Sequence, residues 1–477
     1  MRRVLSLRHA FWPTRKLPLP GSEGQKQILK TLEADVWPVL AISILSLSGL
    51  SALLYARRSK EEPAIKARLF SRDLEYLCEG GSNLLCRAKP DAYILHFKKD
   101  ASGLTHNDFD RQRRMQQFLC KVFPQLCISI PKILSIPASD IRTLDAHLLA
   151  ARSKAVRKQR LDIGSDIRVQ VLQKEDLFNA CLSLEICPGC GLQEDEKMPS
   201  RNSMAYAVSH GHRMAGDLNL QLFSGAAVEC SAAIAAALEA HYFHAQFFAG
   251  DGAYLGAMDA KRGHGVQDAL QGADLSIPQL SQMAGRALQP ILPPLRRLQA
   301  MACGDSEKYA PQLLQKLQEA PEAGSVLDEL KDAVGNPERL EMALGKELQR
   351  ARGATDAAVV EQQEREALKL LSLSKWKARQ VEEAKCWLLR FLVGRAAFQA
   401  KVLFNFMQES RHERTNQSLA EQRFLRASEL LPDEGWTTGW WVRATLVGME
   451  LNIDEIERSS SELETLIAHY TEVASAS

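Results

Sequence analysis

The sequence predicts an α+β protein whose folded part follows a membrane-spanning helix. Three observations carry this expectation. Short β-type runs separated by glycine and proline turns lie between residues 75 and 100 and again around 182–192. Stretches rich in Ala, Leu, Gln, Glu and Lys, with helical spacing, occupy 226–249 and 277–383. The run 36–56 carries no charge. The chain has 477 residues, 45% hydrophobic and 25% charged. That is enough for one large core or roughly two to three ordinary ones. A formal net charge of +2 predicts no general attraction to nucleic acid. Ten cysteines lie scattered without framework spacing, which reads as free thiols in a reducing compartment.

Residues 1–35 read as a basic leader, with Arg2, Arg3, Arg8, Arg15, Lys16, Lys26 and Lys30 opposed by Glu23 over its first 30 residues. The uncharged run 36–56 that follows is about twenty residues long, the length that spans a bilayer as a helix. Trp37 and Tyr55 stand near its ends, where aromatic belts lie. A linker, 57–72, brings Arg57, Arg58, Lys60, Lys66, Arg68 and Arg72. The positive-inside rule then puts the main domain in the cytosol. Removal of the leader would instead give a soluble protein of the cytoplasm or nucleus.

The region 73–180 opens with E-Y-L-C-E-G-G-S-N-L-L-C-R-A-K-P-D-A-Y-I-L-H-F-K-K-D. It reads as three strands with turns at the glycines and at Lys89-Pro90-Asp91. A glycine turn between strands lets backbone amides approach a phosphate, although most such turns only close hairpins. Residues 108–123 have helical spacing, with Met115, Phe118, Leu119 and Val122 on one face. The basic run 150–160, which includes Arg157 and Arg160, reads as a solvated helix or a polyanion contact.

The region 181–470 begins with L-S-L-E-I-C-P-G-C-G-L, a strand carrying Glu185 that runs into a glycine turn. Cys187 and Cys190 form a CxxC there. A redox pair would want a helix N-terminus and a lowered thiol pKa, and a zinc site would want a second cysteine pair. The sequence offers neither. Residues 200–212 look like a helix start, and 226–249 read as helix. From 277 to 383 helical patterns are broken at Pro290, Pro293, Pro294, Pro321 and Pro337, without the fixed repeat of a solenoid. Residues 387–407 are apolar, with Arg390, Arg395 and Lys401 embedded. Last come the strand-like W-W-V-R-A-T-L-V-G and a polar helix to Tyr470.

The order of these pieces resembles the inositol-pentakisphosphate 2-kinase family. Glu79, Gly80, Asn83 and Leu84 are similar to the family's E-G-x-x-N-L loop, and Tyr93 to its next strand, with His96 at an arginine and Lys99 at a lysine. Glu185-Ile186-Cys187-Pro188-Gly189-Cys190-Gly191-Leu192 resembles E-I-K-P-K-x-G-F, with Cys187 and Gly189 in place of both lysines. Arg201 and Met204 match R-x-x-M-H-Q-x-L-K, whose lysine is Ser209 here. Leu220-Gln221-Leu222-Phe223-Ser224-Gly225 is similar to L-D-L-F-S-G. Gln399 falls at the aspartate of A-K-D-C-S-I-M, and Glu450 with Asn452 falls at D-L-D-L-K. These islands run from about residue 75 to residue 470.

The resemblance implies a kinase-like two-lobed fold with a large helical insert at 277–383. It implies ATP with Mg2+, and phosphorylation of the 2-hydroxyl of inositol pentakisphosphate to give inositol hexakisphosphate. Glu79, Gly80, Gly81, Asn83, His96, Lys99 and Glu185 would face the nucleotide. Arg157, Arg160, Cys187, Gly189 and Arg201 would face the inositol polyphosphate. Gln399 would stand at the catalytic base, and Glu450 with Asn452 at the metal. The substitutions matter for the chemistry. Charged contacts in such a site are worth roughly 2–5 kcal/mol each, and loss of a proton acceptor costs roughly 10²–10⁴ in rate. Two expectations follow: a weakened kinase, or a membrane-anchored protein that binds nucleotide or inositol phosphate without turnover.

Overall fold

The computed structural model describes residues between 74 and 476, apart from 80–82, 89–92, 105–108, 138–166, 174–180, 193–200, 212–216, 250–253, 257–263, 320–328, 351–354, 410–422, 450–454 and some shorter stretches. The chain divides into two units, Met1–Ala67 and Arg68–Ser477. Every described residue belongs to the second.

Strands β1 (Leu74–Glu79), β2 (Asn83–Ala88), β3 (Tyr93–Asp100) and β4 (Gly103–Leu104) come first, then α1 (Phe109–Val122), β5 (Lys132–Ile136) and β6 (Ile167–Gln173). They form an antiparallel sheet in the order β1-β2-β3-β6-β5, with β4 on β3. The period-2 pattern of β3 buries Leu95 and Phe97 and leaves His96 half-buried between them. Helix α1 buries Met115, Phe118 and Leu119 and exposes Arg114, as its 3.6-residue spacing requires.

The rest of the chain runs β7 (Leu182–Ile186), α2 (Arg201–His210), α3 (Leu218–Leu222), α4 (Ala227–Glu239), β8 (Gln246–Ala249) and β9 (Tyr254–Gly256). Helices α5 (His264–Ala273), α6 (Ile277–Leu288), α7 (Leu292–Ala300), α8 (Ser306–Gln318), α9 (Pro337–Arg350), α10 (Asp356–Ser372) and α11 (Ala378–Gln399) follow. The chain closes with β10 (Lys401–Gln408), β11 (Leu425–Arg426), α12 (Ala427–Leu430), β12 (Trp440–Val447) and α13 (Glu455–Ala476). The second sheet is antiparallel, in the order β11-β12-β10-β7-β8-β9.

One face of this sheet, with Leu182, Leu184, Ile186, Val402, Phe404, Phe406, Val442 and Leu446, packs into a core shared with α4, α6 and α7. A second cluster joins α8, α10 and α11 around Trp387 and Phe391, whose rings stack at 5.8 Å. Charges inside these layers are matched. Arg395 of α11 is ion-paired with the fully buried Glu307 of α8, and Arg390 with Glu366 of α10. A lone buried charge would cost far more than either pair returns.

The expected fold class is corrected. The described fold is a mixed helix-and-sheet one with two antiparallel sheets, and no described helix is long and apolar enough to cross a membrane. The two longest, α11 and α13, are 22 residues each and are interrupted by charged side chains. The run expected to span a membrane, 36–56, lies outside the described residues, as do the leader 1–35 and the linker 57–72. The helices from 277 onward, expected as an insert, pack partly into the main core. Leu280, Met283, Leu295 and Leu298 belong to the core under the second sheet, and the expected boundary at 383 falls inside α11.

Two local expectations also change. The helix predicted over 226–249 ends at Glu239, and its last residues form β8, because Phe247 and Phe248 pair onto β7. Pro293 and Pro294 do not break a helix; they sit in the first turn of α7, where a missing backbone donor costs nothing. Helices α4 and α6 approach closely at Gly285. A Cβ there would lie 2.3 Å from Ser231 Oγ and 2.9 Å from Ser231 N. Gly285→Ala is therefore expected to destabilise the fold by about 1–3 kcal/mol, outweighing its helix-propensity gain of about 1 kcal/mol. Chemical denaturation checks this; a stabilised variant would show that the helices can part.

Candidate functional site

The second sheet brings the key sequence motifs to one end. Val402 of β10 is paired with Ile186 of β7 on one side and with Leu446 of β12 on the other. Three chain segments therefore leave the sheet together. Cys187 to Leu192 follow β7, Gln399 and Ala400 precede β10, and Gly448 and Met449 follow β12. Gly448 adopts φ +72, a left-handed conformation that favours glycine. Glu450 and Asn452, expected at the metal, come directly after in the chain but lie outside the described residues.

The turn after β7 is held by a residue that the sequence reading missed. Gln299 of α7 is fully buried. Its Nε2 donates to the Gly189 carbonyl at 2.6 Å and to the Ala397 carbonyl at 3.2 Å, and its Oε1 accepts from Gly191 N–H at 3.0 Å. One amide thus joins the β7 turn to the end of α11, two residues before Gln399. The available signal was a glutamine in step with Leu292 and Leu295, at a position where the helix should be apolar.

The two glycines of the turn have separate reasons. Gly189 adopts φ +64. Gly191 lies against Phe223, where a Cβ would come within 2.3 Å of the ring. This contact joins the turn to the loop after α3. That helix starts on Asp217, whose carboxylate accepts from Asn219 and Leu220 N–H. Gly225, at φ +86, ends the loop.

The charged group at the sheet end is an ion pair. Lys401 Nζ lies 2.7 Å from Glu185 Oε1, with the lysine side chain 45% and the glutamate 17% exposed. Glu185, expected to face a nucleotide, is thus already partnered. Further along the same face Ser183 Oγ donates to Asn405 Oδ1 at 2.7 Å, fully buried. Burial pushes the Cys187 thiol pKa up, while the Lys401 charge and a hydrogen bond with Gly189 backbone pull the other way without prevailing. A raised thiol pKa makes a poorer nucleophile, which counts against the redox reading of the CxxC. Cys190 lies outside the described residues.

The remaining expected residues divide as follows. Gln399, at the expected base, is the exposed last residue of α11. Glu79 ends β1 and Asn83 begins β2, with Asn83 opposite Lys98 of β3 and Leu85 opposite His96. Lys99 pairs with Leu104 of β4. Gly80, Gly81, Arg157 and Arg160 lie outside the described residues, and Arg201 is the first residue of α2. Among the described residues no group of three or more His, Cys, Asp or Glu could hold a metal ion.

A cavity of about 890 Å³ adjoins this region, lined by Leu192, Phe223, Ser224 and Gly225 with α7 and α10. Its Arg296 is paired with Asp356 at 2.8 Å, and Glu361 and Glu364 also line it. Acids offset its arginines, so its charge does not select a polyanion. No protein-family model matches the chain, and no curated protein matches it.

Two measurements follow. Gln299→Leu is expected to lower stability by about 3 kcal/mol, since buried backbone groups left unpaired cost roughly 1–3 kcal/mol each; denaturant titration reads this. Alkylation of Cys187 by iodoacetamide at pH 8 is expected to be much slower than that of a free thiol, read by peptide mass spectrometry. Rapid labelling of the folded protein would contradict the burial assigned to this thiol.

Proposed function

We propose that this chain is an inositol-polyphosphate-binding protein of the inositol-pentakisphosphate 2-kinase type, in which phosphoryl transfer from ATP to the 2-hydroxyl is slow. The observation that carries the reading is the convergence of separated motifs at the end of the second sheet. The E-I-C-P-G-C-G turn and the segment holding Gln399 are joined by Gln299, and the L-F-S-G loop is joined to that turn by Gly191 and Phe223. The β7 turn and the segment that holds Gln399 lie about 200 positions apart in the chain, too far for local propensity to bring them together.

The chemistry available there is positioning without a base. Phosphoryl transfer depends on placed charge more than on covalent help. A glutamine at position 399 can orient a hydroxyl by hydrogen bonding but cannot take its proton. Glu450 and Asn452, the residues expected at magnesium, lie outside the described residues, and Glu185 is paired with Lys401. When bound, ATP with its metal would supply the transferable phosphoryl group. The chain's own contribution is to hold the inositol phosphate and keep the β7 turn rigid.

Thermal melting of the full chain is expected to rise with inositol pentakisphosphate and with ATP–Mg2+. Gln399→Asp is expected to turn over inositol pentakisphosphate faster than the wild-type chain by roughly 10²–10⁴, in a radiolabelled-phosphate assay. No melting shift with either ligand would sink the binding reading. Equal rates for the two chains would sink the role assigned to position 399.

A further inference from the structure

Cys187 and Gly189 give the turn after β7 no cation of its own. Lys401 stands beside it. Its Nζ reaches across from β10 to Glu185 Oε1 at 2.7 Å, one residue before β7 ends. Its charge also acts on the Cys187 thiol, so a positive charge lies next to position 187, delivered from the neighbouring strand. The side chain is 45% exposed, which leaves it accessible to a ligand at the sheet end. An ammonium has three donors on a flexible stem, so it can turn from Glu185 to a phosphate. The backbone on both sides is fixed: Gln299 holds the Gly189 and Gly191 backbone, and Val402 is paired on both edges. Gln399, at the same end, carries no charge.

We propose that Lys401 binds a phosphate group of the inositol polyphosphate, with Glu185 as the carboxylate that its ammonium pairs with until a phosphate displaces it. This rests on the functional reading above and adds a residue to it. Polyanion binding needs cations within hydrogen-bonding reach. Here the cation comes from the strand next to the turn, so the loss of positive charge at 187 and 189 is partly offset.

The test is isothermal titration of the full-length wild-type chain, Lys401→Gln, Lys401→Arg and Glu185→Gln with inositol pentakisphosphate, and separately with ATP–Mg2+. Lys401→Gln is expected to weaken inositol pentakisphosphate binding about tenfold or more and to flatten its salt dependence, while Lys401→Arg retains most of the affinity. Glu185→Gln is expected to tighten it, because the ammonium then loses its competing carboxylate. A pair that merely braces the sheet would move both neutral variants in the same direction, which overturns the proposal. Melting curves without ligand are expected to stay close to wild type, since a half-exposed ion pair contributes about 0–1 kcal/mol. Equal inositol pentakisphosphate binding by the wild type and Lys401→Gln overturns the role of Lys401 and leaves the functional reading intact. A loss confined to the ATP titration also overturns it, assigning Lys401 to the nucleotide. Absence of inositol pentakisphosphate binding by the wild-type chain overturns both.

Discussion

Strand β10 is paired along both edges, with β7 and with β12, and its residues from Val402 to Met407 are all buried. Its register places Ile186, Val402 and Leu446 in one row, and hence decides which turns meet beyond that row. A one-residue slip would send Val402, Phe404 and Phe406 to the opposite face and separate Lys401 from Glu185. The register of the strand therefore fixes the site as well as the core. The helix before it makes the same demand. Gly394 of α11 faces Ala302, where a Cβ would lie 2.7 Å away, so α11 approaches α7 closely enough for Gln299 to reach the Ala397 carbonyl.

Polar groups inside this frame have different consequences by location. Arg395 with Glu307 is matched deep between α11 and α8, while Arg390 meets Glu366 of α10 closer to the surface; both fix which helices can neighbour each other. Gln299 is neutral and fully hydrogen-bonded, so it holds a turn without the desolvation cost of an ion. Glu185 and Lys401 sit at the boundary with solvent, where a pair is weak and can be reorganised by a ligand.

Much of this architecture is readable along the chain. The alternation in residues 74–100, 182–186 and 440–447 gives strands, and the spacing of Met115, Phe118 and Leu119 gives a helix. Boundaries are less legible where two propensities meet. The alanine-rich run predicts helix through residue 249, but the aromatic pair Phe247 and Phe248 is drawn into a strand by β7. Prolines 293 and 294 signal a break, yet at a first turn they are compatible with helix. The helices from 277 onward look like an insertion in sequence because they lack the motifs; in space they contribute part of the main core.

The sequence by itself determined the strand and helix types, the order of the segments, and the uncharged residues at positions 187, 189 and 399, because these depend on local pattern and residue chemistry. Only the tertiary structure decided that Gln299 ties the β7 turn to α11, that Gly191 must be bare because Phe223 lies against it, and that Lys401 stands beside Cys187. These are contacts between residues about 30 to more than 200 positions apart. Their distances follow from strand register and helix packing, quantities that no local window of sequence contains.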